Sequence, residues 1–336
     1  MNVTHHFSKL ILILFTVLLT WSCNEFTSSP YSSISFDRRS SIPGNGRASA
    51  VAFTLNNKGY VALGRDSLEK QLKDCWEYDP LIDRWTEKAP FPGIARVKAM
   101  AAAVNDKAYV GLGFDNSDPN GAEYNYNACL KDFWMFDPAA NSWTRKADYP
   151  SYTTVACVSF VYKNNIYVGS GFDNHVFKNE FWKYITAEDK WIRLNDFPGS
   201  GRAAAVVCTN GEQVYFGTGY RTGNEDDWWE YFPESDTWKL RNNIAGDGRE
   251  NALSFSIDNR FFVATGQVFH GNLTGGHALS DIIEYDAIRK VWYKRGNLPA
   301  ARENAVAFTI NGIGYIGFGE NDKNVLNDFF SFDPVK

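Results

Sequence analysis

An all-β fold is predicted, with six four-stranded antiparallel blades packed radially into a β-propeller, and three features of the chain predict it. A block of features recurs and closes each time on a related tail: WTEKAPFP (85–92), WTRKADYP (143–150), WIRLNDFP (191–198), WKLRNNIA (238–245) and WYKRGNLP (292–299). The chain is rich in aromatic residues, with 11 Trp, 17 Tyr and 25 Phe among 336 residues, a composition that favours strands over helices. A sixth tail, FDRRSSIP (36–43), follows no complete unit, while the last unit ends at Lys336 without a tail.

Taken from the N-terminus, residues 1–22 read as an export signal. His5, His6 and Lys9 precede the apolar run LILILFTVLLTW, which is short for a bilayer span. Ser22-Cys23 at its end resembles the bacterial lipobox, which would place a lipid on Cys23; ordinary cleaved secretion is the alternative. Residues 23–31 are then a tether and 32–336 the propeller. This predicts a location in the bacterial cell envelope, in the periplasm or on the outer-membrane surface, with the membrane reached through the lipid anchor alone.

Each unit opens with an Ala-rich apolar strand (ASAVAF, AMAAAV, VACVSF, AAAVVC, NALSFS, NAVAFT) and a short turn such as NNKG or NGIG. A second strand closes on glycine (YVALG, YVGLG, YVGSG, YFGTG, FVATG, YIGFG). After a loop, an acidic residue introduces an aromatic third strand (DCWEYDP, DFWMFDP, EFWKYIT, DWWEYFP, DIIEYDA, DFFSFDP), and a fourth strand begins with Trp. One such sheet cannot bury both faces alone, so radial stacking is required. Small residues such as Ala50, Ala99 and Ala203 suit the crowded axis, and the aromatics suit the wider space between diverging blades. FDRRSSIP supplies the missing fourth strand of the last blade, with Phe36 in the Trp position, and so removes the open edge.

These units resemble Kelch repeats over essentially the whole mature chain. Gly-x-Gly at 111–113, 169–171, 217–219 and 317–319 stands where most Kelch repeats carry Gly-Gly, and Ala62 and Ala264 replace the first glycine in blades one and five. The variant is similar to the Kelch lipoproteins of Bacteroidetes-type bacteria, often labelled by analogy with galactose oxidase. The radical-copper oxidases sharing this repeat need two His, two Tyr and a Tyr-linked Cys. That set cannot be assembled from His175, His270 and His277, so no copper is predicted.

Other cofactors are not predicted either. Asn116-x-Asp118-x-Asn120-Gly121 echoes the start of a calcium loop, but Asn127 takes the place of the bidentate Glu and Pro119 intrudes. Cys75, Cys129, Cys157 and Cys208 show no metal spacing and read mostly as buried thiols. A formal charge of −5 offers no electropositive field for nucleic acid. The chain is expected to be a monomer.

Strand alternation puts the inter-blade connections and the loops between second and third strands on one face. The connections carry Arg47, Arg96, Arg202, Arg249 and Arg302, with Thr154 in blade three. Five guanidiniums near one channel mouth would suit an anionic ligand. The alternative is that each pairs with an acidic neighbour once per blade. Long loops in blades two and five add Tyr124, Tyr126, His270 and His277 as ligand-contact candidates.

No nucleophile–base pair or phosphate loop is visible, so the favoured function is a non-catalytic module binding a protein or glycan through this face. The alternative is an isomerase resembling the periplasmic Kelch sialic acid mutarotases, acting on an acidic sugar, with Glu250 or Glu303 as the acid–base group.

Overall fold

The computed structural model describes residues 25–115, 128–151, 154–269 and 275–334. Six antiparallel sheets form a ring. Blade one comprises Val51–Leu55, Lys58–Ala62, Cys75–Asp79 and Arg84–Lys88, and blade two Met100–Val104, Lys107–Gly111, Phe133–Asp137 and Ser142–Lys146. Blade three comprises Val158–Tyr162, Asn165–Gly169, Phe181–Ile185 and Lys190–Arg193, and blade four Val206–Thr209, Val214–Gly217, Trp228–Phe232 and Thr237–Leu240. In blade five, Leu253–Ile257 and Arg260–Ala264 are followed by two long strands, Gly276–Asp286 and Val291–Arg302. Blade six, Val306–Ile310, Ile313–Gly317 and Phe329–Phe332, is completed by Asp37–Arg39 from the other end of the chain.

That closing strand has the expected register. Arg38 faces Phe330, and the Phe36 and Phe332 rings lie 5.5 Å apart, the place held by Tyr78 and Trp85 in blade one. A second closure runs around the axis. The backbone N–H of Lys98 donates to Ser49 O, Ala156 to Lys98, Ala204 to Ala156, Asn251 to Ala204, Asn304 to Asn251 and Ser49 to Asn304, at 2.9–3.3 Å. All six residues hold φ between 51° and 55°. This left-handed turn lets each connection hand its amide to the preceding blade while its partner strand continues outward.

The packing follows the volume available. First strands lie against one another at the axis, and each buried cluster bridges two blades, as where Tyr78 and Trp85 of blade one meet Tyr315 and Phe329 of blade six. On the outer side of blades one to three, the Trp that opens the fourth strand donates its indole N–H to the preceding blade. Trp143 reaches Ala89 O and Trp191 reaches Ala147 O, both at 2.9 Å. In those three blades the Trp is therefore both core filler and seam.

Part of the stretch expected to be a tether is laid along blade five. Thr27 N donates to Trp292 O (3.0 Å), Ile34 N to Arg295 O (2.6 Å), and the Tyr31 ring covers the guanidiniums of Arg260 and Arg295. Arg295, fully buried, pairs with Glu284 and donates to Ser32 O (3.0 Å) and Pro334 O (2.9 Å), tying both chain ends to one blade. Both flanks of the long blade-five loop are strand rather than irregular: Gln267–Phe269 pairs with Gly276–Ala278 as an extension of the sheet. Cys75, Cys129, Cys157 and Cys208 form no disulfide among the described residues, and burial pushes the Cys75, Cys157 and Cys208 thiols up to about 12. Cys23 and the whole of residues 1–22 lie outside the described residues.

Candidate functional site

The five arginines do not present cations at the channel mouth. Arg47, Arg96, Arg202, Arg249 and Arg302 are each no more than 2% exposed. Each guanidinium forks across the carboxylate that introduces its own blade's third strand. Arg96 Nη1 and Nη2 reach Asp132 Oδ1 and Oδ2 at 2.6 and 2.9 Å; Arg47 pairs with Asp74, Arg202 with Asp227, Arg249 with Asp281 and Arg302 with Asp328. In every case Nη1 also donates to the carbonyl sixteen residues on, and for Arg96 this is Leu112 O at 3.0 Å. These carbonyls belong to residues in the left-handed region, between the glycine or alanine ending the second strand and the following glycine. The arginine thus holds a strained turn, and its donors are spent inside the blade. Burial raises the Asp132 carboxyl, but the Arg96 hydrogen bonds and charge, with the Trp134 indole N–H, leave it below the usual carboxylate range.

What does face the mouth is a pair of positions that vary from blade to blade. The residue after each arginine, or after Thr154, bridges the residue after the blade's second glycine: Ala48 with Arg65, Val97 with Phe114, Val155 with Phe172, Ala203 with Tyr220, Glu250 with Gln267 and Glu303 with Glu320. Blades two to four therefore carry Phe114, Phe172 and Tyr220. The row extends through Phe172–Phe177 (4.7 Å between centroids), Phe177–Tyr220 (6.0 Å) and Tyr220–Phe269 (5.9 Å), with every ring partly exposed.

The other side is polar and acidic. Asn251 Nδ2 donates to Glu303 Oε2 at 2.8 Å, and Asn304 Nδ2 donates to Glu303 Oε2 (3.2 Å) and to Glu320 Oε1 (3.0 Å). Lys98 Nζ reaches Asn251 Oδ1 at 3.3 Å, and Arg65 pairs with Glu320 and Glu69. Lys98, Asn251 and Asn304 belong to the hydrogen-bonded ring and line a cavity of about 130 Å³ at the axis, room for a few waters. A larger ligand would lie across the mouth rather than within it.

The two glutamates singled out in the sequence sit in this group. Burial pushes the Glu250 carboxyl above the usual carboxylate value; the Lys98 charge opposes the shift and the Glu303 charge adds to it. No hydrogen bond reaches the Glu250 side chain from the described residues. Burial likewise raises Glu303, against the Asn251 hydrogen bond, while the Glu320 charge adds to the rise. Two partly buried carboxylates of raised pKa beside a lysine are suited to hold or pass a proton. Neither neutralises the neighbouring arginine, whose carboxylate partner is the aspartate.

Of the remaining candidates, His277 is exposed on the blade-five hairpin, and Tyr124, Tyr126 and His270 lie outside the described residues. Among the described residues no group of three or more His, Cys, Asp or Glu is placed to hold a metal ion. The aromatic row, Lys98, Asn251 and Asn304 were missed by reasoning on motifs. Their signal was the opposite of a motif: two columns of the repeat in which residue type changes while the surrounding columns hold.

No protein-family model matches the chain, and no curated protein matches it. Among solved structures, one described as "Structure of YjhT" superposes with a TM-score of 0.73 at 19% identity, covering 87% of this chain and 96% of that one. That likeness is one of fold, and with the strand topology it defines the class: a six-bladed β-propeller built of four-stranded repeats.

Proposed function

We propose that the protein is an exported, lipid-anchored propeller of the Kelch type that binds a glycan across its channel mouth. A sugar presents apolar C–H faces and a rim of hydroxyls, and the mouth offers a surface for each. The Phe172, Phe177, Tyr220 and Phe269 row can stack on the ring, and Glu250, Glu303, Asn251 and Asn304 can take the hydroxyls. The single observation that carries this reading is Glu250: a partly buried carboxylate with no side-chain hydrogen-bond partner among the described residues, at the same end of the ring as partly exposed aromatic rings. Because the five blade arginines are internally paired and acids outnumber cations at the mouth, a neutral glycan fits better than an anion.

A glycan array on the fragment from residue 25, followed by calorimetry, tests the reading. Tyr220→Ala and Glu250→Gln should each weaken binding about tenfold, the loss of one stacking or charge-assisted contact. Binding by neither the array nor calorimetry, or binding indifferent to both substitutions, rejects it. The anchor is tested separately: labelled palmitate incorporated in a Gram-negative host should be lost in Cys23→Ala.

A second reading is favoured by the raised pKa of Glu250 and Glu303, namely anomer exchange of the bound sugar by proton transfer. It agrees with the resemblance to Kelch sialic acid mutarotases. NMR exchange kinetics with sialic acid and with neutral aldoses decide it: acceleration abolished by Glu303→Gln supports catalysis, and exchange at the buffer rate removes it.

A further inference from the structure

The hairpins that join third to fourth strands lie at the end of each blade opposite the channel mouth, since the loops between second and third strands lie at the mouth. In blades one, two and five an aspartate ending the third strand builds the turn. Leu81 N donates to Asp79 Oδ1 and Ala139 N to Asp137 Oδ1 at 3.0 Å, and Ile288 N to Asp286 Oδ1 at 2.9 Å. Such a turn is made by backbone and aspartate and asks for nothing apolar at its tip. The tips of blades two to four comply, with Ala139-Ala140, Ala187-Glu188 and Glu234-Ser235. Blades one and five do not: Leu81 is 88% exposed, Ile82 64% and Ile288 93%. These two blades flank blade six, which has chain ends in place of a hairpin.

The chain joins the ring in this same sector. The bridge between Thr27 and Tyr293 is parallel, so upstream of Thr27 the backbone heads toward the start of Val291–Arg302, which is the blade-five hairpin. Cys23 precedes Thr27 by four residues in the sequence, a span of at most about 14 Å. The hairpins are also basic. Arg84, Arg289 and Lys290 are exposed beside the apolar tips, and Arg84 and Lys290 make no ion pair among the described residues. The acids of the same turns are engaged: Asp83 accepts from Tyr78 Oη at 2.7 Å and from Ser40 N at 3.0 Å, and Asp286 accepts from Arg289 Nη1 at 2.8 Å.

We propose that the ring rests on an anionic lipid bilayer through the hairpin tips of blades one and five, with Leu81, Ile82 and Ile288 entering the headgroup layer and Arg84, Arg289 and Lys290 meeting its phosphates. The inference deepens the lipid-anchored reading and rests on it for the orientation, since a lipid on Cys23 holds the blade-five hairpin beside the membrane. A lone exposed Leu or Ile is ordinary. Apolar tips with cations beside them, on both sides of the sector where the chain enters, have the mixed character of an interfacial contact. A two-fold contact between copies would bring the same cations together, whereas headgroup phosphates neutralise them. The consequence is a channel mouth directed away from the bilayer.

Vesicle flotation of the chain from residue 25, which holds all six blades and both terminal contacts but not Cys23, tests the contact apart from the anchor. Vesicles of phosphatidylglycerol and phosphatidylcholine in about equal parts, at about 0.1 M salt, should carry the protein, and phosphatidylcholine alone about tenfold less. Leu81→Asp combined with Ile288→Asp should cut the vesicle-bound protein about tenfold and leave the Tm within about 1 °C of the parent, because both side chains face solvent. Arg84→Gln combined with Lys290→Gln should remove most of the preference for the anionic vesicle. Absence of flotation on anionic vesicles up to about 5 mM lipid overturns the proposal. So does binding unchanged in Leu81→Asp, Ile288→Asp, or a parent that sediments as a dimer and becomes a monomer in that variant, which assigns the tips to a contact between copies. Palmitate labelling of Cys23 judges the anchor alone, so failure of the anchor and failure of this contact are read separately.

Discussion

Replacing Arg96 with Met removes a guanidinium but keeps most of the side chain's length, and so isolates what the buried ion pair does. The substitution deletes the forked bond to Asp132, the Nη1 bond to Leu112 O and the Nε bond to Ile94 O at 2.8 Å. Breaking a buried pair from one side costs about 3–5 kcal/mol, because the surviving charge is left uncompensated. Asp132 is 16% exposed and retains the Trp134 indole N–H at 2.7 Å, which places the cost at the lower end, about 3 kcal/mol. For a domain of this size that is a fall in Tm of about 6 °C.

The double variant Arg96→Met, Asp132→Leu should recover much of the loss, since no orphaned charge remains. The deficit should also depend on pH. The folded Asp132 carboxyl lies below its unfolded value, so its contribution is present above the unfolded pKa near 4 and is lost as pH falls through the folded value. Thermal unfolding followed by tryptophan fluorescence at pH 7 and at about pH 3 measures both effects. A single variant within about 1 °C of the parent at pH 7 would refute the assignment of the arginines to blade structure and return them to the ligand face.

Three further outcomes are expected. Glu250 has a raised folded pKa, so the penalty of its charged form grows as pH rises through that value. Glu250→Gln should therefore match the parent near pH 4 and unfold at a higher temperature at pH 7, and a constant difference across that range would contradict the burial assigned to it. Gly113 holds φ 88°, and an added Cβ would lie 2.7 Å from Val97 O and 2.9 Å from Ala99; Gly113→Ala should cost about 2–4 kcal/mol, read as a loss of denaturant midpoint. A chain starting at residue 44 lacks the closing strand and the Phe36 contact with Phe332, and exposes the edge of Phe329–Phe332. It should elute as aggregate in size-exclusion chromatography, and a monomer with the parent Tm would show that closure is dispensable.

Much of the architecture was legible along the chain because its signals are local. Alternation within Met100–Val104, the glycine ending Lys107–Gly111 and the spacing from Phe136 to Trp143 all act within one hairpin or its neighbour. Even the arginine's partner left a trace. The acidic residue before each third strand is aspartate wherever an arginine precedes its blade. Blade three alone changes both, to Thr154 and Glu180, and reading those two columns jointly would have found the pairing. The site was less legible. Phe172 and Phe177 are separated by a short loop, but Tyr220 and Phe269 come from other blades, and nothing in their local sequence says they meet.

The sequence alone determined six sheets, their order and the joining of the ends, since strand periodicity, turn chemistry and a missing tail are properties of contiguous residues. Only the tertiary structure decided that the arginines turn inward to aspartates 25 to 36 residues away, and that an aromatic row and a cluster of carboxylates share one end of the ring. The physical reason is that radial packing brings one position from each blade to a common rim. Which neighbours a side chain has there depends on the ring as a whole, and not on the residues beside it in the chain.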